Sequence, residues 1–252
     1  MAFTIAVAGK GGTGKTTISA LIIKYLLEKK MTPILAVDAD ANSNLNEVLG
    51  VKVINSIGEV REEITKNVNS IPTGMSKDAY LELKIQEILV EASGFDLLAM
   101  GRPEGPGCYC YVNNILRRYM DILAKNYSYV VMDNEAGMEH LSRRTTYEVD
   151  HLLLISDTSP RAIRAAAKIR DLVKELELKV EETHLIINRV PKEGLSPILK
   201  EEIDKLNLNL LGTLPLDEQI LEMDLKKRPI LELPGGSCAF RAISGLIEKL
   251  NF

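Results

Sequence analysis

A glycine-rich stretch near the amino terminus has residues of the type and spacing that bind phosphate. It reads GKGGTGKTT (9–17) and lies between an apolar run and a helical pattern. In that context GxxxxGK[ST] predicts a phosphate-binding loop, with Lys15 on the β- and γ-phosphates and the Thr16 hydroxyl on Mg²⁺. We therefore predict a nucleoside triphosphate site formed by Gly9, Gly11, Gly12, Thr13, Gly14, Lys15, Thr16 and Thr17.

Three carboxylates follow other apolar runs of the chain. Asp38 and Asp40 come after the run 33–37, and Asp133 ends the run 129–132. Ligands of open parallel sheets bind at the carboxyl ends of the strands. Because alternate residues of an extended segment share a face, Asp38 and Asp40 are both expected to face the metal and γ-phosphate of the nucleotide. The alternative is that they cap a helix, a common role of aspartate.

Two cysteines separated by one residue form a candidate metal site. Cys108 and Cys110 lie in a glycine- and proline-rich loop just before a predicted helix, where thiolates are favoured. Two thiolates fill half of a tetrahedral site, so a two-fold dimer with a pair from each subunit would complete it. Two alternatives stay open: buried packing and a redox pair. Cys238 is remote and single.

Length and composition limit the class of protein. The 252 residues carry a net charge of -4 with both signs interspersed, which indicates no nucleic-acid surface. No apolar run approaches the roughly 20 residues of a membrane span. Three cysteines in this arrangement are a poor disulfide framework, so a cytoplasmic location without membrane contact is expected.

The pattern of apolar runs predicts the fold class. Core strands are expected where these runs occur, from 3–8 to 210–213, and they alternate with helical patterns. We predict one α/β P-loop domain over residues 1–252, with a mostly parallel sheet of seven or eight strands flanked by helices. Residues 51–95 are expected to hold two amphipathic helices, either as a partner-recognition insert or as cover for the sheet.

The phosphate loop carries a second lysine, Lys10, directly after its first glycine. The pattern GKGGTGKT resembles the deviant Walker A motif of the ATPases that include nitrogenase iron protein and the septum-site and plasmid-partition ATPases. The resemblance implies that Lys10 reaches the phosphates of a partner subunit, and hence an ATP-dependent homodimer. The alternative is a solvated loop lysine.

The same resemblance assigns roles to the carboxylates. It implies that Asp38 lies near Mg²⁺ and that Asp40 orients or deprotonates the attacking water. Asp133 would hold the hydration shell of Mg²⁺, and the Gly137 N–H would sense the γ-phosphate. Ala41 stands where the family often has proline. The implied catalytic residues are Lys10, Lys15 and Asp40.

The resemblance also implies an adenine site near the carboxyl terminus. Asn188 would read the base, for which an amide is suited because it offers both a donor and an acceptor. Pro215 and Asp217 would flank the base. His140, in the stretch after Asp133, would contact metal or a partner, or be purely structural; we rank the structural role first.

Two longer stretches sharpen the resemblance. GRPEGPGCYCYVNN (101–114) and DNEAGMEHLSRRT (133–145) look like those of accessory ATPases that deliver nickel to carbon monoxide dehydrogenase and acetyl-CoA synthase. This implies ATP hydrolysis coupled to Ni²⁺ delivery, with Zn²⁺ as a substitute ion and the nickel enzyme as partner. Two rival functions stay open, a spatial-organisation ATPase and an iron–sulfur carrier with a subunit-bridging cluster.

Overall fold

The computed structural model describes residues 2–40, 44–66, 71–101, 123–135 and 148–250. Within these ranges the chain forms an eight-stranded sheet in the order β3-β4-β2-β5-β1-β6-β7-β8. All pairs are parallel except β3 with β4. The predicted α/β fold with a mostly parallel sheet is confirmed. The strands are β1 Phe3–Gly9, β2 Ile34–Ala39, β3 Val90–Glu91, β4 Phe95–Ala99, β5 Tyr129–Asn134, β6 Val149–Ser156, β7 Val180–Val190 and β8 Leu210–Pro215.

Helices cover both faces of this sheet. Their bounds are α1 Lys15–Glu28, α2 Leu45–Leu49, α3 Ile57–Lys66, α4 Lys77–Ile88, α5 Pro160–Glu175, α6 Pro197–Lys205, α7 Glu218–Leu225 and α8 Cys238–Ile247. One hydrophobic cluster joins α1, α2, α7 and α8 to one face, and a second joins α3 to α6 to the other. None of the described helices has the length and apolarity that crossing a membrane requires.

The central strands β1, β2, β5 and β6 are largely apolar because both of their faces are buried. In β1, Ile5 and Val7 belong to the cluster under α1, whereas Ala6 and Ala8 belong to the opposite cluster. This central strand pairs with β5 on one side and β6 on the other. Its carboxyl end runs directly into the glycine-rich loop, which therefore starts from the most buried part of the sheet.

Several boundaries differ from those that the sequence predicts. The helices expected within 51–95 are present, and their buried residues pack on the sheet as cover. Strand β7 begins at Val180, whereas the apolar run of the sequence covers 184–188. The first residues of the strand are polar and partly exposed, so the apolar run does not include them. The short helices α2, α6 and α7 and the strand β3 were not predicted, since each buries only a few side chains.

Gly9 is expected to be the least replaceable glycine of the loop. A Cβ at this position would lie 2.3 Å from the backbone oxygen of Ile155 on β6, whereas a Cβ at Gly12 would meet nothing within 4 Å. Gly9→Ala should therefore lower the free energy of unfolding by about 3 kcal/mol, the upper range for an overpacked core. Gly12→Ala, at φ +80°, should cost about 1 kcal/mol from backbone strain alone.

Denaturant unfolding of both variants without nucleotide measures the difference. Equal costs for Gly9→Ala and Gly12→Ala would contradict the steric explanation, because the two positions differ mainly in what surrounds the added methyl group.

Candidate functional site

The glycine-rich loop is held by one hydrogen bond within it and by two from β7, all to its backbone oxygens. The buried Thr13 hydroxyl donates to the Lys10 oxygen at 2.8 Å. The Asn188 amide donates to the Thr13 oxygen at 2.9 Å, and the Arg189 guanidinium donates to the Gly12 oxygen at 3.0 Å. Because these oxygens are occupied, the loop can direct its N–H groups to an anion.

The amino terminus of α1 opens onto this loop. Gly14 is its N-cap with φ 92°, no side chain caps the first turn, and that turn holds no acidic residue. Uncapped N–H groups and the helix dipole make such an end favourable for a phosphate. A Cβ at Gly14 would lie 2.4 Å from the Asn188 amide nitrogen, so the contact between β7 and the loop requires glycine here.

The two loop lysines differ in their surroundings. Lys15 is only 7% exposed and lies close enough to Asp133 to influence the pKa of that carboxyl. Lys10 is exposed and makes no ion pair within the described part of the chain. Lys15 is therefore directed into the molecule, and Lys10 is available to something outside it.

Asp38 and Asp133 come together at the carboxyl ends of neighbouring strands. They are register partners on β2 and β5, and both are almost fully buried. Asp40 lies close enough to raise the pKa values of both. The structure thus collects the three predicted carboxylates at one end of the sheet, next to the phosphate loop.

Asp133 is held in an environment that penalises its negative charge. Burial raises its pKa to about 6, although the Thr16 hydroxyl, the Lys15 ammonium and the Ser19 hydroxyl lower it. Ser19 donates to Oδ1 at 3.2 Å, while the buried Oδ2 has no hydrogen-bond partner among the described residues. A buried carboxylate oxygen without a donor is suited to a cation.

Asp38 holds the turn that follows β2. Its Oδ1 accepts from the Asp40 N–H at 3.1 Å and its Oδ2 from the Leu45 N–H at 3.0 Å. Burial is the main cause that raises its pKa to about 7, with Asp133 adding to the shift. The contact with Leu45 joins the end of β2 to the first residue of α2, whose N-cap is Asn44.

These carboxylates and Thr16 fit a magnesium ion bound with a nucleotide. The ligands that Mg²⁺ prefers are hard oxygens, and the buried Asp133 Oδ2 supplies one that the protein leaves without a donor. The neighbouring acids, which raise the pKa values of Asp38 and Asp133, also favour a divalent cation there. Thr16 and Asp133 are the residues that would hold it.

A cleft of about 110 Å³ lies beside the loop, between the ends of β7 and β8. It brings together Thr17, Asn188, Pro215 and Asp217, all of which the sequence predicts for nucleotide binding. Leu216 and Leu221 form part of the apolar wall of this cleft. The remaining lining residues are Ile18, Leu21, Arg189, Leu214, Ile220, Asp224 and Ala239.

The carboxylate of Asp217 is engaged by protein groups. Its Oδ1 caps α7 through the Gln219 N–H, while Oδ2 accepts from the Ser237 hydroxyl and the Ala239 N–H at the start of α8. Burial alone raises its pKa, but these donors and the Cys238 thiol lower it to about 2. Asp217 therefore borders the cleft mainly as the residue that joins two helix ends.

Other predicted positions lie outside the described residues. They are Cys108, Cys110, Gly137 and His140. Conversely, the sequence interpretation assigned no role to Ser19, Asn134 and Arg189. The Asn134 amide donates to the Val7 oxygen at 3.0 Å and joins the ends of β5 and β1. Asn134 and Arg189 could have been found from the sequence, because they directly follow the predicted site residues Asp133 and Asn188.

The raised pKa of Asp133 predicts a pH-dependent stability without ligands. In the unfolded chain the carboxyl has a pKa near 3.8, so between that value and about 6 the unfolded state loses its proton first. Asp133→Asn should therefore become more stable than wild type as pH rises through this window, by about 3 kcal/mol at most. Denaturant unfolding from pH 4 to pH 8, in steps of about one unit, measures the effect.

Asp38→Asn serves as a companion variant. The pKa of Asp38 is about 7, so its difference from wild type should continue to grow at a pH where the Asp133→Asn difference has levelled off. A difference that does not change with pH for either variant would show that these carboxyls are not destabilised by burial.

Comparisons of this chain with known proteins agree on one protein family. The profile of the CbiA family, the CobQ/CobB/MinD/ParA nucleotide binding domain, matches residues 4–230. An uncharacterized ATP-binding protein of Methanocaldococcus jannaschii is 48% identical over 248 residues, covering 98% of this chain and 97% of that protein. The carbon monoxide dehydrogenase accessory protein CooC of Rhodospirillum rubrum is 29% identical over 235 residues, covering 87% and 86%.

Among solved structures, the septum site-determining protein MinD of Pyrococcus horikoshii, complexed with Mg-ADP, is similar in fold. Its TM-score is 0.71 at 21% identity, over 100% of this chain and 96% of that chain. The family profile spans the phosphate loop, the carboxylate-bearing strands and Asn188. The chain belongs to the CobQ/CobB/MinD/ParA family of nucleotide-binding domains.

Proposed function

We propose that this chain hydrolyses ATP as a nucleotide-dependent homodimer and uses the cycle to insert nickel into carbon monoxide dehydrogenase or acetyl-CoA synthase. The observation that carries the ATPase is the meeting of Lys15, the open end of α1 and the unpaired Asp133 oxygen at one place. The similarity to CooC and the pair Cys108 and Cys110 support nickel as the cargo.

The chain's own residues account for binding and orientation of ATP. Lys15 and the N–H groups of the loop bind the phosphates, while Thr16 and Asp133 would hold Mg²⁺, which would neutralise phosphate charge. The cleft beside Asn188 takes the base, with Leu216 and Leu221 against its faces. Phosphoryl transfer depends mainly on positioning and charge, which this arrangement supplies.

Hydrolysis needs a positioned water and a proton acceptor. Asp40 lies at the edge of the site, near Asp38 and Asp133. We assign it to orient the water and take its proton as the new bond to the γ-phosphorus forms and the bond to the bridging oxygen breaks. The exposed Lys10 of one subunit would reach the phosphates of the other, completing the charge neutralisation only in the dimer.

A chain of backbone contacts connects this site to the segment that carries the cysteines. The Met100 N–H donates to the Asp38 oxygen at 2.8 Å, and the Gly58 N–H donates to the Met100 oxygen at 2.9 Å. Met100 is the last residue but one before the stretch 102–122, in which Cys108 and Cys110 lie. A change around Asp38 on hydrolysis would therefore act where the chain leaves the sheet toward the metal ligands.

Substitution of Lys15 should weaken ATP binding, whereas substitution of Lys10 should slow ATP hydrolysis. Lys15→Ala removes a buried charge-assisted phosphate contact, so the Kd for ATP should rise roughly 100-fold, which corresponds to about 2.7 kcal/mol. Lys10→Ala should leave the affinity of the monomer for ATP unchanged, yet lower hydrolysis by roughly 100-fold. Calorimetric titration and phosphate release measure the two quantities.

Each lysine variant also serves as the control for the other. Retained ATP affinity in Lys15→Ala would remove the phosphate-site assignment. Full hydrolysis by Lys10→Ala would leave that site intact and contradict the action of Lys10 across the dimer.

The metal cargo is tested by anaerobic nickel titration with mass determination, in the presence of ADP or a non-hydrolysable ATP analogue. Wild type should bind one Ni²⁺ per dimer, since two thiolates from each subunit complete a four-ligand site. Cys108→Ala/Cys110→Ala should lose this ion. Cys238→Ala is the matched control, because Cys238 is the remaining cysteine of the chain and should not matter.

Nucleotide-dependent pairing without cysteine-dependent metal would favour a spatial-organisation ATPase instead, a function that the fold shared with MinD supports. Cosedimentation with lipid vesicles or DNA would then be expected. The apolar face of α8 is already packed against the sheet through Phe240, Ile243 and Ile247, which does not favour membrane binding by this helix. Brown protein purified without oxygen would instead indicate an iron–sulfur carrier.

A further inference from the structure

Two of the three histidines in the sequence touch one another in the sheet. His151 on β6 and His184 on β7 are both 6% exposed. Glu182, two residues before His184 on β7, reaches the same point from the solvent side, with a side chain that is 60% exposed. Each of the three residues directs one potential ligand atom to a common centre, and these atoms lie within 4.8 Å of one another.

The distances match those of ligands around one tetrahedral ion. His184 Nε2 lies 3.1 Å from His151 Nδ1 and 3.1 Å from Glu182 Oε2, and the third side of the triangle is 3.9 Å. Ligand bonds of about 2.0–2.1 Å in a tetrahedral zinc site place neighbouring ligand atoms about 3.3 Å apart. A shift of less than an ångström would place all three atoms on one ion.

His184 Nε2 is the atom of the cluster that lies nearest to both other ligand atoms. The Asn209 amide nitrogen lies 3.1 Å from His184 Nδ1, which places the single ring proton of neutral His184 on Nε2. That proton faces both the Glu182 carboxylate and the His151 Nδ1 lone pair. A divalent cation in place of that proton would contact all three atoms.

The chemistry of the His184 ring suits a metal. Burial is the main cause that lowers the pKa of His184, and His151 adds to it, so the ring is neutral at pH 7, the form that binds metals. On binding, the ring proton moves from Nε2 to Nδ1, and a rotated Asn209 amide accepts it through its oxygen. Metal-bound histidines usually donate their other N–H to such a partner.

We propose that His151, Glu182 and His184 form a second metal site, for a first-row transition dication of the zinc type. Two imidazoles and one carboxylate suit this class of ion. The fourth position faces solvent on the side of the exposed Glu182 and would hold water. The site lies toward the amino ends of β6 and β7, whereas the phosphate loop adjoins the carboxyl ends of the strands.

The proposed ion has a structural consequence, since all three ligands come from two adjacent parallel strands. It would cross-link β6 to β7 next to Phe3, whose ring lies 5.3 Å from that of His151. Binding to the folded state alone raises the thermal midpoint with ion concentration.

The test uses ZnCl₂ and a cysteine-free protein, Cys108→Ser/Cys110→Ser/Cys238→Ser, without nucleotide. This background separates the proposed site from the cysteine pair, so failure of one proposal leaves the other standing. Calorimetry should give one Zn²⁺ per chain, with a matching rise in the thermal midpoint. Nitrogen NMR should show shifted ring signals for His151 and His184.

Glu182→Gln in the same background is the main variant, because its exposed side chain can change without disturbing the core. It should weaken Zn²⁺ binding roughly 10-fold or more. Glu181→Gln is the matched control, since this exposed neighbour projects from the opposite face of the strand and should leave the Kd unchanged. The absence of stoichiometric Zn²⁺, equal effects of the two variants, or unshifted His151 and His184 signals would each overturn the proposal.

Discussion

The burial of negative charge at the ends of β2 and β5 is the constraint on which the site depends. Asp38 and Asp133 are register partners with pKa values raised to about 7 and about 6, chiefly by burial. A sheet that places two acids side by side in its interior gives up stability unless positive charge approaches them. The Lys15 ammonium and the Thr16 and Ser19 hydroxyls approach Asp133 from the first turns of α1. The groups that compensate the charge of Asp133 are therefore in place only when the phosphate loop is in its observed position.

The fold was largely predictable because its central strands are buried on both faces and so read as continuous apolar runs. Elements that bury few residues gave no such signal: α2, α6 and α7 are short, and β3 has two residues. The first part of β7 is polar and exposed, so periodicity placed the strand too late. Pairing with β4 forms β3, and pairing with β6 forms the first part of β7. A local sequence pattern cannot report such long-range contacts.

The candidate site also combines features that local sequence spacing predicts with contacts that only the fold creates. The phosphate loop and the strand-end carboxylates follow from spacing, since strand, loop and helix are consecutive in the chain. The anchoring of the loop by Asn188 and Arg189 spans about 175 residues, and it depends on β7 ending beside β1's loop. Likewise, His151 and His184 become neighbours only through the register of β6 and β7. Nothing in the spacing of these residues indicates the contact.

The two hydrogen bonds from Asn188 and Arg189 to loop oxygens have a further consequence. A free glycine-rich segment would lose backbone entropy on closing around an anion, at about 1–2 kcal/mol per residue ordered. Here part of that loss accompanies folding, because Asn188 and Arg189 of the chain itself anchor the loop to β7. Encounter with a nucleotide can then proceed as docking into a preorganised cradle, with little induced fit in the loop itself. The segments that respond to the bound phosphates must be sought elsewhere in the chain.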